Sequence, residues 1–195
     1  MTNEEIIQEI VREKGYVSSK ILKEKNIPSW YLSNMVRKDL LRRIDRGIYV
    51  NEKGIHDEYF FFQYLHTKSI YSYSNALYLQ GLTDQIPTRL EVTVYQGYNT
   101  HRFDKNVIAH YVKKDVHNLG VIDILSPYGN SVNVYNKERT LCDLVSSKKI
   151  IESEVFKKAF QTYFQQMDKD VHKLMKYATK LGIESEMFTL IEVLS

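Results

Sequence analysis

The sequence predicts an α+β fold in two parts. Three observations carry the prediction. Apolar residues recur at helical spacing up to about Leu40 and give way to a short hairpin closed by Gly47. Segments alternating between apolar and polar residues recur through 90–135, and helical periodicity returns from Asn136 to the end.

The elements follow in order. Thr2 or Asn3 caps a first helix, with Glu4 and Glu5 in its first turn, where the helix dipole favours acids. Ile6, Ile7, Ile10 and Val11 share one face, and Gly15 ends the helix. Ser18 or Ser19 caps a short second helix reaching Lys25, with Ile21 and Leu22 inward. Asn26-Ile27-Pro28 is a turn, and Pro28 suits the start of a third helix from about Ser29 to Leu40. Leu41 to Ile44 and Ile48 to Asn51 read as two strands around Asp45-Arg46-Gly47. Helix, helix, turn, helix and hairpin predict a winged helix-turn-helix over residues 1–54.

Asn51 to Ile55 reads as a linker, and residues 55–195 are expected to form an α/β domain with a mainly antiparallel sheet and C-terminal helices. Its helices are expected at His56–Lys68 and Ser74–Leu82. Strands are expected at Leu90–Tyr95, Val107–Val112, Val121–Leu125 and Val132–Tyr135. Asn136 caps a helix to Val145, and Ser153–Gln166, Lys169–Leu181 and Glu184–Leu194 close the chain.

At 195 residues, 43% apolar and 26% charged, the chain has the composition of a globular protein and is long enough for a small module plus a medium domain. The one cysteine, Cys142, excludes an intrachain disulfide and a cysteine zinc site. The acidic, polar start is wrong for a signal peptide, and no apolar run approaches a membrane span, so a cytoplasmic protein with no membrane partner is expected.

The net charge of +3 is unevenly spread. Residues 1–54 carry eleven basic and eight acidic side chains, and the rest carries sixteen of each. All the excess positive charge is therefore N-terminal, as a nucleic-acid partner requires. On the third helix, Leu32, Met35 and Val36 face inward, so Trp30, Asn34 and Arg37 point outward, flanked by Tyr31, Ser33 and Lys38. These side chains suit base edges and phosphates: Arg pairs with guanine, Asn with adenine, and Lys and Ser with backbone oxygens. A solvated face is usually mixed in sign, whereas Asp39 is the only acid on this helix. Arg42, Arg43 and Arg46 cluster at the hairpin, where a basic tip can follow a phosphate backbone or enter the minor groove. Ser18, Ser19, Lys20 and Lys23, with Lys25, complete the expected DNA-contacting set from the second helix.

These residues carry a resemblance. Ile27-Pro28-Ser29-Trp30-Tyr31-Leu32-Ser33-Asn34-Met35-Val36-Arg37-Lys38, followed by Leu41-Arg42-Arg43-Ile44-Asp45-Arg46-Gly47-Ile48-Tyr49-Val50, resembles the winged helix of the AbiEi family. These are antitoxins of type IV abortive-infection toxin–antitoxin systems, which confer phage resistance. The family often has a glycine between recognition helix and wing, and Asp39 stands nearby here. Tyr73-Ser74-Asn75-Ala76-Leu77-Tyr78-Leu79-Gln80-Gly81-Leu82-Thr83 looks like the family's serine-to-glycine-leucine helix. Asn136-Lys137-Glu138-Arg139-Thr140-Leu141-Cys142-Asp143-Leu144 looks like its glutamate-arginine-threonine-leucine-x-aspartate helix. The resemblance implies an autorepressor that binds inverted repeats in its own promoter, with two copies on double-stranded DNA. It also implies a C-terminal antitoxin domain that counters a nucleotidyltransferase toxin without a stable complex.

No enzyme chemistry is expected. The histidines (His56, His66, His101, His110, His117 and His172) form no short-spaced zinc pair, and there is no nucleophile elbow, phosphate loop or dinucleotide fingerprint. No catalytic residue, metal or cofactor is therefore assigned. A metal nuclease needs acids at strand ends with a lysine close by, which Glu91-Val92-Thr93 and Asp123-Ile124-Leu125 lack. Glu138, Arg139 and Asp143 read as structural polar anchors, and Cys142 as a buried thiol. Lys157, Lys158, Lys169, Lys173, Lys176 and Lys180 on the terminal helices read by default as a solvated face, the alternatives being contact with DNA flanking the operator or with an acidic or nucleic-acid target. The competing readings are a one-component regulator that senses a ligand and, more weakly, a DNA-targeted nuclease.

Overall fold

The structure is a computed structural model and describes residues 1–147 and 153–194. It divides into two compact units, Met1–Phe62 and Gln63–Ser195.

In the first unit, α1 (Asn3–Lys14) starts at a capping box: the Thr2 hydroxyl accepts from the Glu5 N–H, and the Glu5 carboxylate accepts from the Thr2 N–H. β1 (Val17–Ser18) leads into α2 (Ser19–Glu24), and α3 (Trp30–Arg37) precedes the hairpin of β2 (Arg42–Asp45) and β3 (Ile48–Val50). β3 lies between β1 and β2 in a three-stranded antiparallel sheet. Ile7, Val17, Leu22, Leu32 and Met35 are fully buried at the centre of the core. The two-residue β1 was not expected, because it is too short to show alternation.

The third helix stops at Arg37, short of the expected Leu40. Asp39 takes a left-handed conformation (φ 55°), with its N–H donating to Val36 O and the Leu40 N–H to Met35 O. That is a Schellman end, whose left-handed seat glycine usually fills. Asn26 (φ 56°) closes α2 in the same way, through Asn26 N–H to Lys23 O and Ile27 N–H to Leu22 O. An L side chain is strained there, and Asp tolerates the strain better than most. Asp39→Gly is accordingly expected to raise the thermal midpoint, by up to about 1 kcal/mol of stability. A lowered midpoint would show that the Asp39 side chain contributes more than its backbone costs.

α4 (Glu58–Leu65) spans the division between the units. The second unit contains β4 (Ile70–Tyr71), α5 (Tyr73–Leu79), β5 (Leu90–Tyr95), β6 (Val107–Val112), α6 (Lys114–His117), β7 (Val121–Leu125) and β8 (Ser131–Tyr135). Helices α7 (Lys137–Ser146), α8 (Ser153–Gln165), α9 (Val171–Leu181) and α10 (Glu184–Leu194) follow. The sheet order is β6-β5-β4-β8-β7. The pairs β4–β5 and β7–β8 are antiparallel, while β4–β8 and β5–β6 are parallel. The sheet is therefore mixed, where a mainly antiparallel one was expected. The long 96–106 connection returns the chain to the start of β5, which lets β6 run parallel to it.

The helices enclose a core in which Leu141, Cys142, Leu144, Phe160, Tyr163, Leu174 and Met187 are fully buried. Burial pushes the Cys142 thiol up to about 12, so it is inert at neutral pH. Arg139 is completely buried. Its Nε donates to Asp143 Oδ1 (2.9 Å), and Nη1 donates to Val116 O (2.7 Å) and Leu119 O (2.9 Å). Its guanidinium lies 4.2 Å from the Tyr135 ring centroid. Glu138 accepts from the Tyr163 hydroxyl.

Candidate nucleic-acid interface

The surface of α3 follows from its period. Leu32 and Met35 are fully buried, while Trp30 is 56% exposed and Ser33, Arg37 and Lys38 are exposed. Tyr31 is half-buried and stacks on Trp30 (ring centroids 3.9 Å apart). Asn34 departs from the expected outward set. It is half-buried, and its amide donates to Glu4 Oε1 (3.3 Å), the oxygen that also takes the Lys38 ammonium (2.7 Å). The first turn of α1 thus holds two of the expected contact residues with one carboxylate.

The hairpin is tied to the start of α2. The Ser19 N–H donates to Gly47 O (2.9 Å), and a Cβ on Gly47, at φ 73°, would lie 3.2 Å from the Ser19 hydroxyl. Ser19 and Lys20 therefore lie beside the Arg46–Gly47 turn. The Arg43 Nε donates to Asp45 O, and the Asp45 carboxylate accepts from the Arg46 N–H. A bulge between Arg43 and Asp45 interrupts the ladder. Arg42, Arg43, Arg46, Lys20 and Lys23 are exposed. Among the described residues, Arg37, Arg42 and Arg46 make no ion pair.

Ser18 does not belong on this surface. It is 1% exposed, and its hydroxyl accepts from the Ile21 N–H (3.2 Å), capping α2 from inside the fold.

Sequence reasoning missed Glu4. Its place in the first turn of α1 is legible, but its partners lie on another helix, about thirty residues away. Glu4→Gln removes a carboxylate from beside the basic helix. It is expected to tighten binding to any DNA a few-fold, about 0.2–1 kcal/mol, with little change in stability because the Lys38 pair is partly exposed. Titration against scrambled duplex checks this, and weaker binding would mean that Glu4 serves to position Asn34 and Lys38 for DNA.

Among the described residues, no group of three or more His, Cys, Asp or Glu side chains is placed to hold a metal ion. No helix there is long and apolar enough to cross a membrane.

The chain is thus a mixed α+β protein whose N-terminal unit presents guanidinium groups without carboxylate partners among the described residues. Residues 4–51, which take in every element of that unit from α1 to β3 except the first residue of α1, match the family described as "Transcriptional regulator, AbiEi antitoxin". The similarity is confined to those residues of the N-terminal unit. The fold is similar to the crystal structure of the RV2827C protein from Mycobacterium tuberculosis. The TM-score is 0.62 at 11% identity, over 89% of this chain and 70% of that one. At that identity the likeness is one of fold alone. No curated protein matches the chain.

Proposed function

We propose that this protein is a DNA-binding autorepressor and the antitoxin of a type IV toxin–antitoxin system. The carrying observation is the set of exposed arginines (Arg37, Arg42 and Arg46), free of ion pairs among the described residues, within a segment of regulator type. In this reading residues 1–54 act as a winged helix-turn-helix and residues 55–195 as the antitoxin domain. The exposed face of α3 enters the major groove, with Arg37 reading a base edge and Trp30, Tyr31, Ser33 and Lys38 beside it. Asn34 joins them by exchanging Glu4 for a base. The hairpin arginines, with Ser19, Lys20 and Lys23, grip phosphates. Two copies occupy inverted repeats in the gene's own promoter, and the C-terminal unit counters a nucleotidyltransferase toxin without a stable complex.

A reporter driven by the DNA upstream of the gene tests the first half in cells. Supplying the chain should lower expression, and Arg37→Ala should restore it. Co-expression with the toxin of the same operon tests the second half by restored growth. An unrepressed reporter would overturn autoregulation, and unrelieved toxicity would overturn the antitoxin role.

A further inference from the structure

The second unit holds a cleft of about 330 Å3, lined by Thr67, Lys68, Ser69, Ile70, Tyr95, Lys114, His117, Asn118, Val121 and Asn133. It lies where β4 begins and β5 ends, since those strands are antiparallel and Ile70 pairs with Thr93. Its volume is at the low end for small-molecule sites.

The lining is cationic and contains no acidic side chain. Among the described residues, neither Lys68 nor Lys114 makes an ion pair. The Lys114 ammonium lies 5.7 Å from the centroid of the Tyr95 ring, which is half-buried in the wall. The Asn133 backbone is fully bonded to Gln63, which fixes the residue in the wall. Its side-chain amide and the Thr67 hydroxyl have no partner among the described residues. His117 is buried at the back, with Nε2 3.4 Å from Thr93 O, and burial holds its pKa below the usual value. The formal positive charge of the lining is carried by the two lysines.

Two ammonium groups outside any ion pair, with an amide and a hydroxyl, match the acceptor oxygens of a phosphate group. A bare phosphate ion would leave much of the cleft to water, whereas the Tyr95 ring gives a planar base an apolar surface to lie on. We infer that this cleft binds a small phosphate-bearing molecule of nucleoside-monophosphate size. The site involves none of the proposed DNA-contacting residues and stands whether or not the DNA reading does.

The test is an amide chemical-shift titration of the full chain with AMP, GMP, CMP and UMP in turn, with inorganic phosphate as a further arm. Saturable shifts at residues 67–70, 117–118 and 133 are expected with at least one nucleotide, and inorganic phosphate should bind there more weakly. Lys68→Ala with Lys114→Ala should weaken that binding at least about tenfold, as loss of charge-assisted hydrogen bonds implies. Both lysines are exposed, so the thermal midpoint should not move. The inference is overturned if no nucleotide gives saturable shifts. It is equally overturned if the shifts fall on residues 18–46 instead, or if the double variant binds as well as the parent.

Discussion

Replacing Arg139 with alanine is expected to cost the second unit about 3–5 kcal/mol of stability, the largest effect of any change considered. The guanidinium is completely buried and bonded to the Asp143 carboxylate and to the carbonyls of Val116 and Leu119, so it ties α7 to α6 and to the connection between α6 and β7. Removing it strands Asp143, which is itself buried. Burial already pushes the Asp143 carboxyl above its usual pKa, and the Arg139 guanidinium only partly offsets this. An acid with a raised folded-state pKa destabilises the fold as pH rises through that value, because the folded state then holds a charge it disfavours. The cost of Arg139→Ala should therefore be greatest at neutral pH and shrink as the medium is acidified toward the carboxylate range. Arg139→Met combined with Asp143→Leu should cost less than Arg139→Ala alone, since neither charge is then left unpaired. Denaturant unfolding across pH measures all three. A loss under about 1 kcal/mol, or one independent of pH, would show that the pair does not anchor the unit.

The second large effect concerns DNA. Arg37→Ala is expected to reduce discrimination between operator and scrambled DNA by about 1–3 kcal/mol, the worth of a bidentate contact with a base. Asn34→Ala should act in the same direction but less strongly, because its amide is already bonded to Glu4 and DNA must displace that carboxylate. Arg42→Ala or Arg46→Ala should instead weaken operator and scrambled DNA alike and flatten the salt dependence by about one unit of slope each. The contrast between helix and hairpin carries the information. If Arg37→Ala behaved like the hairpin variants, α3 would be gripping phosphates and the bases would be read elsewhere.

Much of the fold was legible because its signals are local. β5, β6 and β7 span the residues that alternation marked, and Asn136 caps α7 as its position before the helix implied. The two faces of α3 were legible for the same reason, since Leu32 and Met35 sit at helical spacing opposite Trp30 and Arg37. The missed features depend on distant partners. β4 has only Ile70 and Tyr71, too few to alternate, yet it sits at the centre of the sheet with a parallel neighbour on one side and an antiparallel one on the other. The parallel β4–β8 contact was hidden with it, and the parallel β5–β6 pair depends on the path of the 96–106 connection, which no local pattern encodes. In the interface, Ser18 reads equally as a cap or a contact until its burial is known. The Glu4 grip on Asn34 and Lys38 joins two helices whose packing no local pattern encodes.

The most direct test of the central claim is an anisotropy titration of the full chain with the duplex upstream of its gene and with a scrambled duplex, across several salt concentrations. The account predicts saturable binding that favours the upstream sequence. It also predicts that log K falls linearly with log salt, by about 0.9 for each phosphate neutralised. Equal affinity for the two duplexes would contradict autoregulation, and binding insensitive to salt would contradict a phosphate-gripping role for the N-terminal arginines.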